Sequence, residues 1–403
     1  MLSKTLTVLF AITIGQTLLA QNHKGLDTVS IKNGISKPSI LSTNPFGIFI
    51  SRLNHNFKKR TSNTYEFDFS LESGNVWGPN VKTYIPNDEN IRNELRGIPW
   101  FSRQYIFEEE TLNANSYEIE TDGVIKGFRG NLTIPIKHNQ EIKIGFRAFV
   151  LMGGIFPFSS FTNDKFIEFF HDNIAGGKDP FDREVFGYNK ARIKYIDRQG
   201  NRLDLKNGDF SFGGIETHYY YYPKLLHSKQ IYLNFGAHLG TNLSQYNASI
   251  DAGISFAGIK QIDFNTHHFM LFGFGINGIR KSLIGFKDTN VDFGTNNFIG
   301  SLESDIEYNF VSKGNTTHSF TISFYLQTSL NEKDEANYAI HVRDEEAYNS
   351  WQHGTRHLYK NNDYWTLTYS FTRKVQTSFY IQQDFTVNNN PDLQTGIAIK
   401  FKI

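Results

Sequence analysis

At 403 residues, with 41 Lys and Arg against 40 Asp and Glu, the chain is long enough for several cores yet carries a net charge of only +1. That balance removes any global electrostatic case for nucleic-acid binding. The absence of cysteine excludes disulfides, thiolate metal ligands, a thiol nucleophile and a lipid-modified N-terminal cysteine. Aromatic residues reach 15%, and no Pro/Ser-rich linker or charge block divides the chain, so one closed sheet accounts for it better than two packed cores.

Residues 1–20 carry Lys4 and then an apolar run from Leu6 to Leu19 that ends at Ala20-Gln21. This predicts a secretory signal peptide, because the run is shorter than the roughly 20 residues of a membrane-spanning helix. Residues 21–63 read as a periplasmic lead-in or first-strand region: 22–43 is polar and turn-rich, and Asn44 to Phe57 is ambiguous. From residue 64 to 403 the pattern is that of a barrel domain. Tyr65, Phe67, Phe69 and Leu71 alternate with Glu66, Asp68, Ser70 and Glu72, giving one apolar and one polar face. Similar alternation recurs at about 124–137, 140–152, 209–223, 229–241, 246–258, 267–279, 297–311, 316–330, 363–374, 376–386 and 394–403. The spacing therefore predicts about 12 long strands, or 14 if the 72–124 link hides a hairpin near Gln104 to Glu109 and Tyr117 to Glu120.

Strands of roughly 10 to 15 residues exceed the usual five or six of a soluble sheet and suit a tilted strand that crosses a bilayer. Short links at 137–140, 223–229, 258–267, 311–316 and 374–376 fall on one side, and the long links fall on the other. Outer-membrane barrels have this parity, with short periplasmic turns and longer external loops. The fold predicted is all-β, a transmembrane antiparallel up-and-down barrel. In it Phe235, Leu239, Ile306 and Ile399 meet lipid, and Asn234, His238, Glu303 and Lys400 face inward. Tyr219 to Tyr222, with Tyr364 and Trp365, read as aromatic girdles.

Asn163 to Gly177 is the exception to period two. At about 100° per residue Phe166, Ile167, Phe169, Phe170 and Ile174 share one face of a short helix. Asp164, Glu168 and His171 lie on the other, Thr162 or Asn163 serves as N-cap and Gly176-Gly177 as the stop. By parity this helix lies in the external link between the third and fourth strands, with its apolar face against either the barrel mouth, as a plug, or the outer leaflet. Glu168 beside His171 is the raw material of a general base, although no Gly-x-Ser-x-Gly nucleophile elbow accompanies it. The plainer reading is that the pair fixes the helix by hydrogen bonding. One histidine with two carboxylates makes a poor metal site, and the sequence implies no metal or cofactor.

Glu66, Asp68, Glu72, Arg129, Lys143, Arg147, Lys400 and Lys402 form the predicted pore lining where the last strand meets the first. They read either as a selectivity lining or as a mutually compensating network that fills the interior; matched charges favour the second. Glu303, Asp305 and Glu307 make an acidic stripe with no in-strand partner. That stripe predicts either a cation-attracting wall or a pairing with an inserted loop.

The pieces FIEFFHD, Arg183, NGDFSFGG and the closing QQDFTVNNNPDLQTGIAIKFKI resemble an uncharacterised Gram-negative outer-membrane barrel family. Members carry a Glu-x-Phe-His helix element and a Pro-Asp turn before the last strand, here Glu168, Phe170, His171, Asp384, Pro391 and Asp392. The resemblance implies the barrel and brings no catalytic residues with it.

The sequence favours a passive channel or uptake protein for a small or amphiphilic solute. The alternatives are an outer-leaflet lipid hydrolase or lipid-modifying enzyme with His171 as base, and a barrel with a structural or surface role. Outer-membrane lipids, lipopolysaccharide and the barrel-assembly machinery are the implied partners, with no nucleic acid among them. Trypsin applied to intact cells is expected to cut only near 175–200 and 331–362; cleavage throughout the strands, read by mass spectrometry of the fragments, overturns the barrel topology.

Overall fold

The structure is a computed structural model that describes residues 31–41, 45–78, 119–155, 159–175, 188–196, 201–330, 361–384 and 393–403. The predicted signal peptide, the hairpin near residues 104–109 and the family-like positions Arg183, Pro391 and Asp392 lie outside the described residues.

Period-two alternation becomes strand almost everywhere it was read. The chain runs β1 (Glu66–Gly78), β2 (Ile119–Lys137), β3 (Gln140–Met152), α1 (Asp164–Phe170), β4 (Arg192–Ile196), β5 (Arg202–Lys206), β6 (Phe210–Tyr221) and β7 (Ile231–Leu243). It continues with β8 (Ala248–Asp263), β9 (His268–Gly285), β10 (Phe298–Val311), β11 (Thr317–Gln327), β12 (Asn362–Thr372), β13 (Val375–Asp384) and β14 (Leu393–Lys402). Every pairing among the described strands is antiparallel, and β1 bonds to both β2 and β14, so twelve strands close into a barrel with no edge of its own. The two remaining strands, β4 and β5, form a hairpin that adds to the start of β2 above the closed wall. They belong to the β3–β6 connection, which the sequence reading took as loop and helix alone.

Two ends are distinct. The connections β2–β3, β8–β9, β10–β11 and β12–β13 are tight turns at one rim, the short-turn end, where β6–β7 is a longer link with a 3-10 turn at His227–Lys229, and α1 and the β4–β5 hairpin belong to the opposite, long-loop end.

The faces follow the predicted parity. Outward, Phe235, Leu239, Ile306, Ile322, Leu367 and Ile399 are exposed; inward, Asn234, His238, Glu303, Asp305, Glu307 and Asn309 are buried. A wall apolar outside and polar inside is the arrangement of a membrane-spanning barrel and the reverse of a soluble protein. The expected girdle divides by parity: Tyr219, Tyr221 and Trp365 face out, whereas Tyr220, Tyr222 and Tyr364 are buried in the interior. Leu367→Arg is expected to cost about 2–4 kcal/mol of barrel stability in vesicles, read by urea unfolding, while the same change at a short-turn position costs about 1 kcal/mol or less.

Candidate functional site

Twelve strands enclose more room than side chains alone can fill, and less than an open porin. That room is taken by residues 31–41 and 45–63, part of the 21–63 stretch expected as a lead-in or first-strand region. Its apolar residues are buried, among them Ile31, Ile40, Leu41, Phe46, Phe49, Ile50, Leu53 and Phe57. Lys32 and Ser36 meet Glu307 near the short-turn end, Phe46 and Phe49 reach Tyr195, Tyr246 and Phe293 at the long-loop end, and Lys58 has returned to Glu66 and Glu141. The segment thus climbs the lumen and comes back. Its two limbs touch through the Gly34–Lys58 bridge and the bond from the Ile35 N–H to the Phe57 carbonyl.

Apart from a single 3-10 turn at Pro45–Phe49 and the Gly34–Lys58 bridge, the described residues of the segment have no regular structure, so their backbone must find partners elsewhere. The wall supplies them. Arg147 donates to the carbonyls of Ile48 (2.8 Å) and Ile50 (2.6 Å), Asn277 to Leu53 (3.0 Å), Asn234 to Asn56 (2.7 Å) and Asn247 to Phe49 (2.8 Å). In the other direction Asp251 accepts from the Ser51 N–H (2.9 Å) and Glu307 from the Ser36 N–H (2.7 Å).

Charge pairing runs through the same contacts. Lys32 lies 2.7 Å from Glu307, Lys37 is paired with Glu303, and Lys58 sits 2.9 Å from Glu141 and 3.3 Å from Glu66. Asp305 accepts from Ser323 beside this group. The acidic stripe therefore pairs with an inserted segment, the second of its two sequence readings, and the partner is the chain's own N-terminal stretch.

The remaining predicted lining residues are placed on the wall between β14 and β6. Lys400 pairs with Glu66 at 2.9 Å, Lys143 with Asp68 at 3.5 Å, and Arg129 with Glu72 at 3.3 Å and Glu216 at 3.6 Å. Arg147 completes the group 3.2 Å from Glu216. Lys402 stands opposite Glu66 in the ladder at the short-turn rim. Glu141, Glu216 and Asp251 were not singled out from sequence; each lies at an inward position of its strand, so parity was the signal that marks them.

Shape follows the same partition. Inward Gly240 has the Ser51 side chain so close that a Cβ would lie 1.8 Å from its Oγ, and at Gly275 a Cβ would lie 2.6 Å from the His55 ring. These glycines are seats for the segment. Apolar inward residues serve likewise: Ile35 and Phe57 bury against Ala257, Ile259 and Leu271, and Ile50 and Leu53 against Ile279 and Ile299. At the long-loop end Leu41, Phe46, Ile48 and Phe49 join Ile193, Leu203, Tyr246 and Phe293 in an apolar core that closes the mouth. A cavity of about 120 Å³ remains on the other side of the segment, lined by Lys37, Lys58, Asp68, Lys143, Tyr220 and Lys400 among others.

The predicted helix forms with Asn163 as N-cap, its side chain accepting from the Phe166 N–H, and is followed by a π-type turn over His171–Ala175. Its polar face is divided. Asp164 is buried and accepts from the Asn75 side chain (2.9 Å) and the Asn189 N–H (2.6 Å), whereas Glu168 and His171 are half-buried further along. The three do not converge on one site. Among the described residues no group of three His, Cys, Asp or Glu is placed to hold a metal ion.

No family model and no curated protein matches the chain. Among solved structures it is similar to an outer membrane channel from Pseudomonas putida F1, at 8% identity and a TM-score of 0.40 over 87% of this chain and 100% of that one. It is also similar to LpxR from Salmonella typhimurium (7%, TM-score 0.36, 84% and 100%) and to a Pseudomonas aeruginosa FadL homologue (7%, TM-score 0.32, 90% and 95%). At these scores the reading of function rests on the molecule's own geometry.

Overpacking a close contact costs about 1–3 kcal/mol. Gly240→Val and Gly275→Val are therefore expected to leave the barrel heat-modifiable while amide exchange across residues 45–57 quickens by about tenfold or more; unchanged exchange means that the segment does not depend on these seats.

Proposed function

We propose that this protein is a barrel of the Gram-negative outer membrane whose lumen is closed by its own residues 31–63, a gated passage for a small or amphiphilic solute. The observation that carries this reading is the set of ion pairs from Lys32, Lys37 and Lys58 to Glu307, Glu303, Glu66 and Glu141, because they hold the segment in the short-turn half of the lumen by contacts that can exchange for water. The lumen wall left behind by such an exchange is polar and charged along β1, β3, β6 and β10, as an aqueous path requires, with apolar patches at Ala257, Ile259 and Leu271 and at Ile279 and Ile299. The passage first predicted as passive becomes, on this reading, one that opens only when the segment shifts. The cavity beside Lys143 and Lys400 is where the path would begin at the short-turn end, and its mixed lining, with Ile35 and Phe57 beside the charges, suits a solute that is itself amphiphilic. Lipid and lipopolysaccharide around the outer wall, and the barrel-assembly machinery during insertion, are the partners this placement entails.

The enzyme reading rests on Glu168 and His171, half-buried on α1 and in the turn after it, while Asp164 is bound to Asn75 and Asn189.

Removing one partner of a buried ion pair costs about 3–5 kcal/mol. In planar bilayers the native protein is expected to be closed for most of the recording, and Glu303→Gln/Glu307→Gln to raise its open probability at least about tenfold. A variant that shows the normal heat shift on gels yet is as silent as the native protein refutes gating and leaves a barrel with a structural role.

A further inference from the structure

The outer wall has a polar gap, and the loop that carries α1 covers it with its polar side inward. On β1 and β2 the residues Ser73, Asn75 and Lys126 stand at outward positions, since their neighbours Glu72 and Arg129 face the lumen. Following the ladder sideways, Lys126 pairs with Ser73 and Ser73 with Thr395, and the row then enters the apolar belt at Ile381, Leu367 and Ile322. In the other direction Lys126 leads through Val150 to exposed Phe210. A lysine, a serine and an asparagine thus occupy the level at which the rest of the belt is apolar.

All three are buried under the loop. Thr162 lies 2.7 Å from the Ser73 hydroxyl, Lys126 donates to that hydroxyl at 2.6 Å, and Asn75 donates to the Thr162 carbonyl (3.0 Å) and to Asp164 (2.9 Å). The other side of the loop carries Phe161, Phe169 and Ile174, which are 54%, 52% and 61% exposed, with Phe166 edge-on to Phe161 at 5.2 Å. An amphipathic segment on a protein in water turns its apolar face toward the protein; this one turns it away, with only Ile167 buried. Such an inversion is stable only where the surroundings are less polar than the wall.

We infer that the aromatic face of the 159–175 segment is immersed in the acyl region of the leaflet at the long-loop end, where it restores the belt across the gap of Ser73, Asn75 and Lys126. This rests on the membrane placement proposed above and adds to it a lipid-contacting element outside the strands. The surface has continuity with the belt on both sides, which is what assigns lipid rather than a protein as its occupant.

The chain has no native cysteine, so single-cysteine variants carry a nitroxide at one place only. In phosphatidylcholine vesicles, Phe169→Cys and Ile174→Cys are expected to show a ratio of oxygen to nickel-chelate accessibility within about twofold of Ile322→Cys in the belt, and several-fold above Lys313→Cys in the β10–β11 turn. Phe169 and Ile174 matching Lys313 while Ile322 remains oxygen-favoured overturns this inference and leaves the barrel in the membrane. If Ile322 too is nickel-favoured, the membrane placement falls and the inference falls with it.

Discussion

The interaction on which the interior depends is the pairing of buried cations on residues 31–63 with buried carboxylates on the wall. A charge taken out of water is tolerated only when it is matched at short range, and here the matching crosses between two parts of the chain that share no secondary structure. Residues 31–63 hold six basic residues and no acidic one, whereas the inward positions of β1, β3, β6, β8 and β10 carry Glu66, Glu141, Glu216, Asp251, Glu303, Asp305 and Glu307. The two excesses cancel, which is why a chain of net charge +1 can have a strongly charged lumen. Lumen width and the need to fill it follow from closing the sheet at twelve strands, and the sign of the wall facing the segment is matched to the cations that fill it.

How much of this was legible depends on whether a feature is local. Strand positions and faces were, because alternation in a barrel states both the element and its orientation residue by residue; β3 and β10 are found where the pattern put them. The segment inside the lumen was not, because it has no period and many of its partners lie far along the chain, as Asp251 does from Ser51 at a separation of 200 residues. Its traces were nonetheless present: a run of cations without acids, an acidic stripe with no in-strand partner, and inward positions that hold Ala257, Ile259 and Leu271 where a water-filled lumen calls for polar groups. The β4–β5 hairpin was missed for a different reason. Its five-residue strands alternate as Ile193 and Tyr195 against Leu203 and Leu205, too short a signal to stand out inside a long connection.

The helix marks the limit of sequence periodicity. Its existence, its N-cap and its two faces were all readable, and the question left open was which surface its phenylalanines meet. The answer lies in what the opposite face binds. Thr162 and Asp164 are committed to outward residues of β1, so the segment lies on the outside of the wall and cannot close the mouth. Closure is done instead by Phe46 and Phe49 with the β4–β5 hairpin. The barrel therefore shows two rules side by side, polar groups matched with one another within, and polar groups hidden from the surroundings without.

The lumen segment also dictates an order of events. It is made before any strand, yet Lys32 and Glu307 are separated by 275 residues and Lys37 and Glu303 by 266. None of these pairings can form until β10 exists, and the seam between β1 and β14 seals only when the final strand has been delivered. Contacts so distant along the chain form late and slowly. Lys58 can meet Glu66 as soon as β1 is made, whereas Lys32 and Lys37 wait for β10, so the cations of one short segment are matched in two stages separated by most of the sheet.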